Sequence, residues 1–368
     1  MPVLTDEQSM LQETAREALV EAAPVRRFRH LRDTASPIGL DEPLWRRMAG
    51  LGWTGVMVPE DRGGLGFGLT GAVLICEEAG RTLAVSPFIQ TAMMAATALS
   101  AGVAAEASAW LPRIAAGEAI VTLAVDEARR HDPWQVSTRA VPEADGYRLH
   151  GGKTFVPHAA EADALLVTAM APDGIGLFLA MRDSAGLGIA TSALIDGRGA
   201  ADLALDGAPA RRIDAGGEGR ALVERVLDTG RIALAAEMAG MARECLDRTV
   251  AYLRDRRQFG RPIGSFQALQ HRAAHLLCEI EVLGAAVRAG ARELEKGGAQ
   301  AAAMVSLAKA KADGVATLAA NEAVQMHGGL GMTDEFDSGL FMKRIRVAAQ
   351  LYGDEHFHTD RFARSRGF

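Results

Sequence analysis

The apolar positions of this chain change their period twice. From Thr5 to about residue 115 they recur at helical spacing, as at Leu11, Ala15 and Leu19. Thr5 is placed to cap the first helix, and Gln8, three residues on, completes a capping box. Asp41-Glu42-Pro43-Leu44-Trp45 opens a further helix, with proline early and acids in the first turn. Residues 118–215 switch to short apolar runs at Ile120–Val125, Ala164–Ala169 and Leu177–Met181. Glycine and proline punctuate these runs, and Asp145-Gly146 marks a hairpin turn before Tyr147, so the pattern predicts a small β-barrel or sandwich between helical regions. From residue 219 the helical period returns. Leu227, Leu234, Met238, Met241 and Cys245 form one stripe, and Leu269, Ala273, Leu276, Ile280, Leu283 and Val287 form a second packing seam. Ser265 is placed to cap the second of these helices, and Gly297-Gly298 to end it. Residues 299–327 read as an alanine-rich helix closed by Gly328-Gly329. The expected architecture is α+β: a helical N-terminal domain (1–117), a middle β-barrel domain (118–218) and a C-terminal helical bundle (219–368). The faces of that bundle also suit oligomerisation.

Composition narrows the function classes. Apolar residues make up 49% and charged residues 23% of the 368, enough for a sizeable core. A net charge of −6 gives no basic excess to hold nucleic acid. Cys76, Cys245 and Cys278, each within a helical pattern, argue against a disulfide framework and read as buried thiols in a reducing, cytoplasmic setting. The polar, acidic N-terminus does not read as a secretory leader. Residues 83–105 carry no charge, but alanine, serine, threonine and glycine dominate them and Pro87 and Gln90 interrupt them. Buried helix fits better than a membrane span. The histidines show no zinc-type spacing with the cysteines, so no metal site is expected.

Candidate chemistry concentrates in Asp255-Arg256-Arg257-Gln258-Phe259-Gly260-Arg261-Pro262-Ile263-Gly264-Ser265-Phe266-Gln267, between two long helical patterns. Guanidinium groups bind phosphate bidentately, and a nearby aromatic covers a flat ring. The segment suits a phosphorylated, ring-bearing ligand; taken alone it also suits a solvated interhelical loop. A second stretch, Gln325-Met326-His327-Gly328-Gly329-Leu330-Gly331, adds glycines that let backbone approach a ligand or simply end a helix. The glycine-rich residues 63–68 lack the lysine and serine of a phosphate loop and read as a tight turn.

The two stretches resemble the R-x-Q-F-G-x-P-I-x-x-F-Q and Q-x-x-G-G-x-G segments of the acyl-CoA dehydrogenase family. Leu4-Thr5-Asp6-Glu7-Gln8, Val58-Pro59-Glu60-Asp61-Arg62-Gly63-Gly64-Leu65-Gly66 and Gly151-Gly152-Lys153-Thr154-Phe155 extend the resemblance, in the family's order. It implies a helical N-terminal domain, a β-barrel and a C-terminal four-helix bundle, with FAD between the barrel of one subunit and the bundle of its neighbour. It further implies α,β-oxidation of an acyl-CoA thioester, with hydride transfer to flavin N5 and electrons passed to an electron-transfer flavoprotein or another acceptor. By resemblance Arg256, Gln258, Phe259 and Gln267, with Gln325, Gly328 and Gly329, clamp the ADP portion.

The flavin-ring side departs from the family. Where the family has a T-E-P-x-x-G-S-D-like loop, this chain reads Thr122-Leu123-Ala124-Val125-Asp126-Glu127-Ala128-Arg129-Arg130. Where it has W-I-T-N, this chain reads Phe155-Val156-Pro157-His158. Phe155 keeps a ring to cover the flavin. Pro157 has neither hydroxyl nor N–H to donate. His158 is a substitute donor or a solvated loop histidine. The family's base stands either directly after a tyrosine near the C-terminus or just before an arginine in the first bundle helix. Here those positions are Gly353, after Tyr352, and Gly230, before Arg231. Glycine inside a helix costs about 1 kcal/mol against alanine, which supports a pocket at Gly230–Arg231. Asp354 is the next candidate base and Glu355 the one after; both also suit the acidic first turn of a helix, where His356 and His358 read as exposed. Three readings stay open: a homo-oligomeric dehydrogenase using Asp354; a subunit without a base that completes the FAD site of a heteromer with a homologous chain; and an acyl-CoA flavoprotein of altered, eliminating chemistry.

Overall fold

The computed structural model describes residues 4–103 and 105–368. Residues 1–3 and Ala104, the latter inside the uncharged stretch 83–105, lie outside the described residues. The elements begin with α1 (Asp6–Ala22), α2 (Val25–Thr34), α3 (Glu42–Gly50), α4 (Leu69–Thr82), a π-helical stretch Phe88–Ala95, α5 (Ala96–Ala101) and α6 (Ala105–Ala115). The strands are β1 (Val121–Ala124), β2 (Arg139–Glu143), β3 (Gly146–Pro157), β4 (Ala164–Ala171), β5 (Gly174–Met181), β6 (Leu187–Ala193) and β7 (Gly199–Arg212). After them come α7 (Gly219–Asp255), the short strands β8 (Arg257–Gln258) and β9 (Arg261–Pro262), α8 (Gln267–Glu295), α9 (Ala301–His327), α10 (Ser338–Gln350) and α11 (Glu355–Ser365). The capping box forms as the sequence predicts, Thr5 Oγ1 accepting from Gln8 N and Gln8 Oε1 from Thr5 N.

Two compact units can be separated, one of residues 30–72 and 85–230, the other of residues up to 29, 73–84 and 231–368. The first holds the barrel. Its seven-stranded sheet runs β1-β4-β2-β3-β7-β5, with β6 on β7, and β5 pairs back to β4, which closes it. The β2–β3 hairpin pairs Glu143 with Gly146, so the turn residues are Ala144 and Asp145, one position earlier than Asp145-Gly146. Leu149, Leu165, Val167, Leu177, Phe178 and Leu203 are buried on the two faces of this sheet, each contributing roughly 1.5–3 kcal/mol by leaving water. The loop at residues 63–68 is a tight turn: Gly63, Gly66 and Gly68 have φ of 84°, 56° and 87°. A Cβ on Gly64 would lie 2.0 Å from Val58 O. The uncharged 83–105 stretch is buried over Phe88–Ala95, as a π-helix. Among the described residues no helix is long and apolar enough to cross a membrane.

The second unit is the bundle. Alanines at 308, 312, 316, 319, 320 and 323 are buried and let α9 pack closely against α8, α10 and α11. The predicted seam of α8 is buried from Leu276 through Ile280, Leu283 and Val287, whereas Leu269 and Ala273 are only half-buried. Ser265 does not cap that helix. Phe266 is its N-cap residue, and Ser265 Oγ donates instead to Pro262 O at 2.8 Å, because a short 3₁₀ turn precedes the helix. Cys76 and Cys245 are buried, but Cys278 is exposed on the outer side of α8.

Candidate active site

In the bundle, the arginine-rich segment folds as a tight hairpin. Arg257 pairs with Pro262 and Gln258 with Arg261, which leaves Phe259 and Gly260 as the turn, with φ of 51° and 78°. Two successive left-handed residues make the turn that matches strand twist, and glycine at the second favours it. Phe259 stands at the tip, 88% exposed. Phe266 meets it edge-on at 6.1 Å, and the Arg261 guanidinium lies 4.1 Å over the Phe266 ring. Arg256, Gln258 and Gln267 are exposed, and among the described residues their side chains make no hydrogen bond. The second stretch lies next to this hairpin. Tyr252, on the last turn of α7, stacks on His327 at 4.4 Å, and Arg272 grips Glu322 at 2.6 Å, tying α8 to α9. Gln325 is exposed, Gly328 has φ 64°, and a Cβ on Gly328 or Gly329 would meet nothing within 4 Å. The Tyr252–His327 stack brings the end of α7, just before Arg256, to the end of α9, just before Gly328, and Arg256, Gln258, Phe259, Gln267, Gln325, Gly328 and Gly329 are all exposed. Free guanidinium, amide and aromatic groups there fit a phosphate joined to a flat ring.

The barrel segment is built differently. A register shift between β3 and β7 falls at Lys153/Val156. The bulge re-aims the strand, so Phe155 takes φ 60° and is 41% exposed. Its N–H donates to Asp202 Oδ1 at 3.1 Å. His158 is not solvated: it is buried, with φ 56°, and its Nδ1 lies 3.8 Å from Glu161. Thr122 Oγ1 donates to Pro157 O at 2.8 Å in the interior. The loop after β1 is closed by its own side chains. Asp126 pairs with His131 at 2.8 Å, and Thr154 N donates to Asp126 O at 2.7 Å. Glu127 accepts from Ser137 N at 2.7 Å, Thr138 N at 3.1 Å, Ser137 Oγ, and Lys153 Nζ at 2.7 Å. Lys153, fully buried, also donates to Val125 O and Thr168 Oγ1. Burial pulls the Lys153 ammonium down to about 8 against the pull of Glu127. Burial would raise Glu127, but the hydrogen bonds from Lys153 and Ser137 outweigh it and hold the carboxyl at about 2. Arg129 and Arg130 are exposed on this loop.

The two positions for a base also have structure. Arg231 is fully buried in α7, its Nε donating to Tyr352 O at 3.0 Å and its guanidinium 5.2 Å from the Phe357 ring. Tyr352 and Gly353 are both left-handed, φ 59° and 109°. A Cβ on Gly353 would lie 2.4 Å from Phe357 Cδ1 and 2.9 Å from His358 Nε2. Asp354 is the N-cap of α11: its Oδ1 accepts from Phe357 N at 2.9 Å. Glu355 is exposed in the first turn. His356 is exposed as expected, but His358 is fully buried, since α11 turns it onto α9 beside Ser306.

Sequence reasoning missed Lys309, Asp313 and His358, which surround this turn, and the Lys153–Glu127 pair. Lys309 and Asp313 had one available signal: oppositely charged residues one helical turn apart on a stripe of buried alanines. Among the described residues no group of three metal-ligating side chains converges.

Comparison with known proteins identifies the family. Residues 5–118 match the description "Acyl-CoA dehydrogenase, N-terminal domain", and residues 217–366 match "Acyl-CoA dehydrogenase, C-terminal domain". The chain is 32% identical over 351 residues to the acyl-CoA dehydrogenase IpdE2 of Mycobacterium tuberculosis, covering 94% of this chain and 93% of that one. A solved structure described as the Tcur3481-Tcur3483 steroid ACAD G363A variant shares 33% identity at a TM-score of 0.91, over 98% of each chain. The ChsE4-ChsE5 complex from Mycobacterium tuberculosis gives a TM-score of 0.91 at 25% identity, over 99% of this chain and 98% of that one. The chain belongs to the acyl-CoA dehydrogenase family, the FAD-dependent oxidoreductases of fatty acid and lipid metabolism.

Proposed function

We propose that this chain is the subunit without a base in a heteromeric acyl-CoA dehydrogenase, where it completes the FAD site of a homologous partner. The observation that carries this reading is the turn at Gly353. With φ 109° and the Phe357 ring 2.4 Å from a would-be Cβ, the position has been rebuilt around glycine. A carboxylate cannot be restored there without moving α11. The barrel loop supports the same reading. Asp126 and Glu127 stand where the family's flavin-ring contacts are expected, and they bond to His131 and Ser137 of this chain. The bundle face offers the opposite: Arg256 for pyrophosphate, with Phe259, Gln258, Gln267 and Gln325 for ring and ribose edges, and open backbone at Gly328 and Gly329. Bound FAD supplies the acceptor for the hydride that leaves the substrate's β-carbon. The α-proton goes to a carboxylate of the partner, and the electrons pass on to an electron-transfer flavoprotein or another acceptor. The similarity to the ChsE4-ChsE5 complex fits a paired assembly. The similarity to the Tcur3481-Tcur3483 steroid ACAD motivates a steroid-derived acyl thioester as the first substrate to try. We extend the same reading to a cytoplasmic location and to domain limits of 1–117, 118–218 and 219–368.

Asp354 keeps a homo-oligomeric reading in view. It directly follows the Gly353 turn and is half-buried, although one oxygen is held as a helix cap. The deciding experiment counts flavin per chain from the visible spectrum, first for the chain expressed alone and then with a homologous chain from the same source. Colourless protein that gains flavin only with the second chain is the expected result. Stoichiometric flavin in the lone chain, with activity abolished by Asp354→Asn, would overturn the proposal in favour of the self-sufficient enzyme.

A further inference from the structure

The Tyr352–Gly353 turn is gripped by buried polar groups from several helices. Arg231 of α7 donates Nε to Tyr352 O at 3.0 Å, and His358 of α11 places Nε2 3.2 Å from the same oxygen. Lys309 of α9, wholly buried, donates Nζ to Gly353 O at 3.1 Å, to Ala349 O at 3.2 Å and to Asp313 Oδ1 at 2.6 Å. An ammonium has three N–H donors, and here each finds an acceptor on a different element: α9 itself, the end of α10, and the turn. Packing alone would be served as well by methionine, which has the same length and no desolvation cost. Burial pushes Lys309 down from its ordinary range, and Asp313 pulls against it. Tyrosine, for its part, occupies the left-handed region only where its surroundings over-determine it.

We propose that Lys309, held in register by Asp313, is the positioning residue of the Tyr352–Gly353 turn. It fixes the Gly353 peptide plane, beside the Tyr352 carbonyl held by Arg231 and His358, at the place where a base-bearing relative would carry its carboxylate. The functional importance of the turn rests on the acyl-site reading above; the pinning does not. The turn is therefore held from three helices, and Lys309 is the contribution of α9.

Hydrogen exchange read by mass spectrometry on the full chain tests this. In Lys309→Met the amides of residues 353–358 should exchange about tenfold faster, while α7 and α8 keep their protection. Asp313→Asn keeps the ammonium but removes its anchor and should give a smaller, roughly threefold, local acceleration. Wild-type rates at 353–358 in Lys309→Met would overturn the proposal, and so would equal acceleration throughout α7 and α8, which marks a core residue of general importance. Should Lys309→Met fail to fold, Asp313→Asn decides: local acceleration supports the pin and wild-type rates there remove it. Flavin content of the same samples reports separately on the acyl-site reading, so that reading can fail while the pin stands.

Discussion

Each unit of the molecule buries one lysine–carboxylate pair, and the two pairs have opposite electrostatic outcomes. In the barrel Lys153 stands 2.7 Å from Glu127; in the bundle Lys309 stands 2.6 Å from Asp313. Glu127 receives two backbone N–H groups and a hydroxyl besides the ammonium, and its carboxyl is held at about 2. Asp313 has only Lys309 on one oxygen, and its other oxygen has no hydrogen-bond partner among the described residues. Burial pushes it up to about 7 despite Lys309, with Glu355 and Asp354 adding to the rise. A lysine neighbour therefore does not settle whether a buried carboxylate stays charged. The depth of burial and the number of further donors do so together: Asp313 is the more deeply buried of the two and has the fewer donors. The barrel pair is a finished structural knot. The bundle pair is under-satisfied and spends its donors on a turn.

The largest effect expected from this difference is in the barrel. Lys153→Met leaves an ionised Glu127 in a part-buried site and should cost about 3–5 kcal/mol in denaturant unfolding. Lys309→Met should cost less, about 1–3 kcal/mol, because Asp313 can take up a proton and become neutral. Equal losses would break the contrast. Next in size is Gly353→Glu, in the turn the bundle pair holds: overpacking against Phe357 should cost about 1–3 kcal/mol and yield no turnover with any acyl-CoA. A gain of dehydrogenase activity in that variant would show that the turn accommodates a base. Arg256→Ala touches neither knot. Its thermal midpoint should not move, while FAD affinity of the assembled protein, titrated by flavin fluorescence, should fall at least about tenfold, the loss of about 1.4 kcal/mol.

In pH dependence the two pairs should slope in opposite directions. Glu127 is depressed from 4.5 to about 2. Its contribution is present above pH 4.5 and is lost as pH falls through about 2. Asp313 is raised from 3.8 to about 7. Its contribution is present below pH 3.8 and is lost as pH rises through about 7. Stability curves of Glu127→Gln and Asp313→Asn should each lose one of these slopes and keep the other. The charged groups facing Asp313 are Lys309 on its own helix and Asp354 and Glu355 at the start of α11. An Asp313→Asn curve that still declines between pH 4 and 7 would assign the decline to another group.

Legibility differed between the two regions for a physical reason. The ADP-side residues lie on contiguous segments whose shape follows from local rules: a Phe259-Gly260 turn, a glycine ending α9, and a helix on either side. Arg256 through Gln267 and Gln325 through Gly329 could therefore be placed from residue types in order. Lys309, 44 residues from Gly353, carries no local mark of its partner. His358 looked solvated because its neighbours Glu355 and His356 are polar, yet the rotation of α11 puts it inside. His158 misled in the same way, since β3 ends by turning it inward. Ser265 failed as a cap because an unforeseen 3₁₀ turn intervened.

By itself the sequence determined the helix, strand and helix succession, the capping box at Thr5 and Gln8, the family, and the absence of a carboxylate at positions 230 and 353. Each of these depends on chemistry within a few residues or on residue identity alone. Only the tertiary structure decided that a side chain at Gly353 would press on the Phe357 ring, that Glu127 is locked while Asp313 is not, and which face of α9 and α11 turns inward. Those outcomes depend on donors, rings and carbonyls supplied by distant segments, and no local spacing encodes the distance at which they meet.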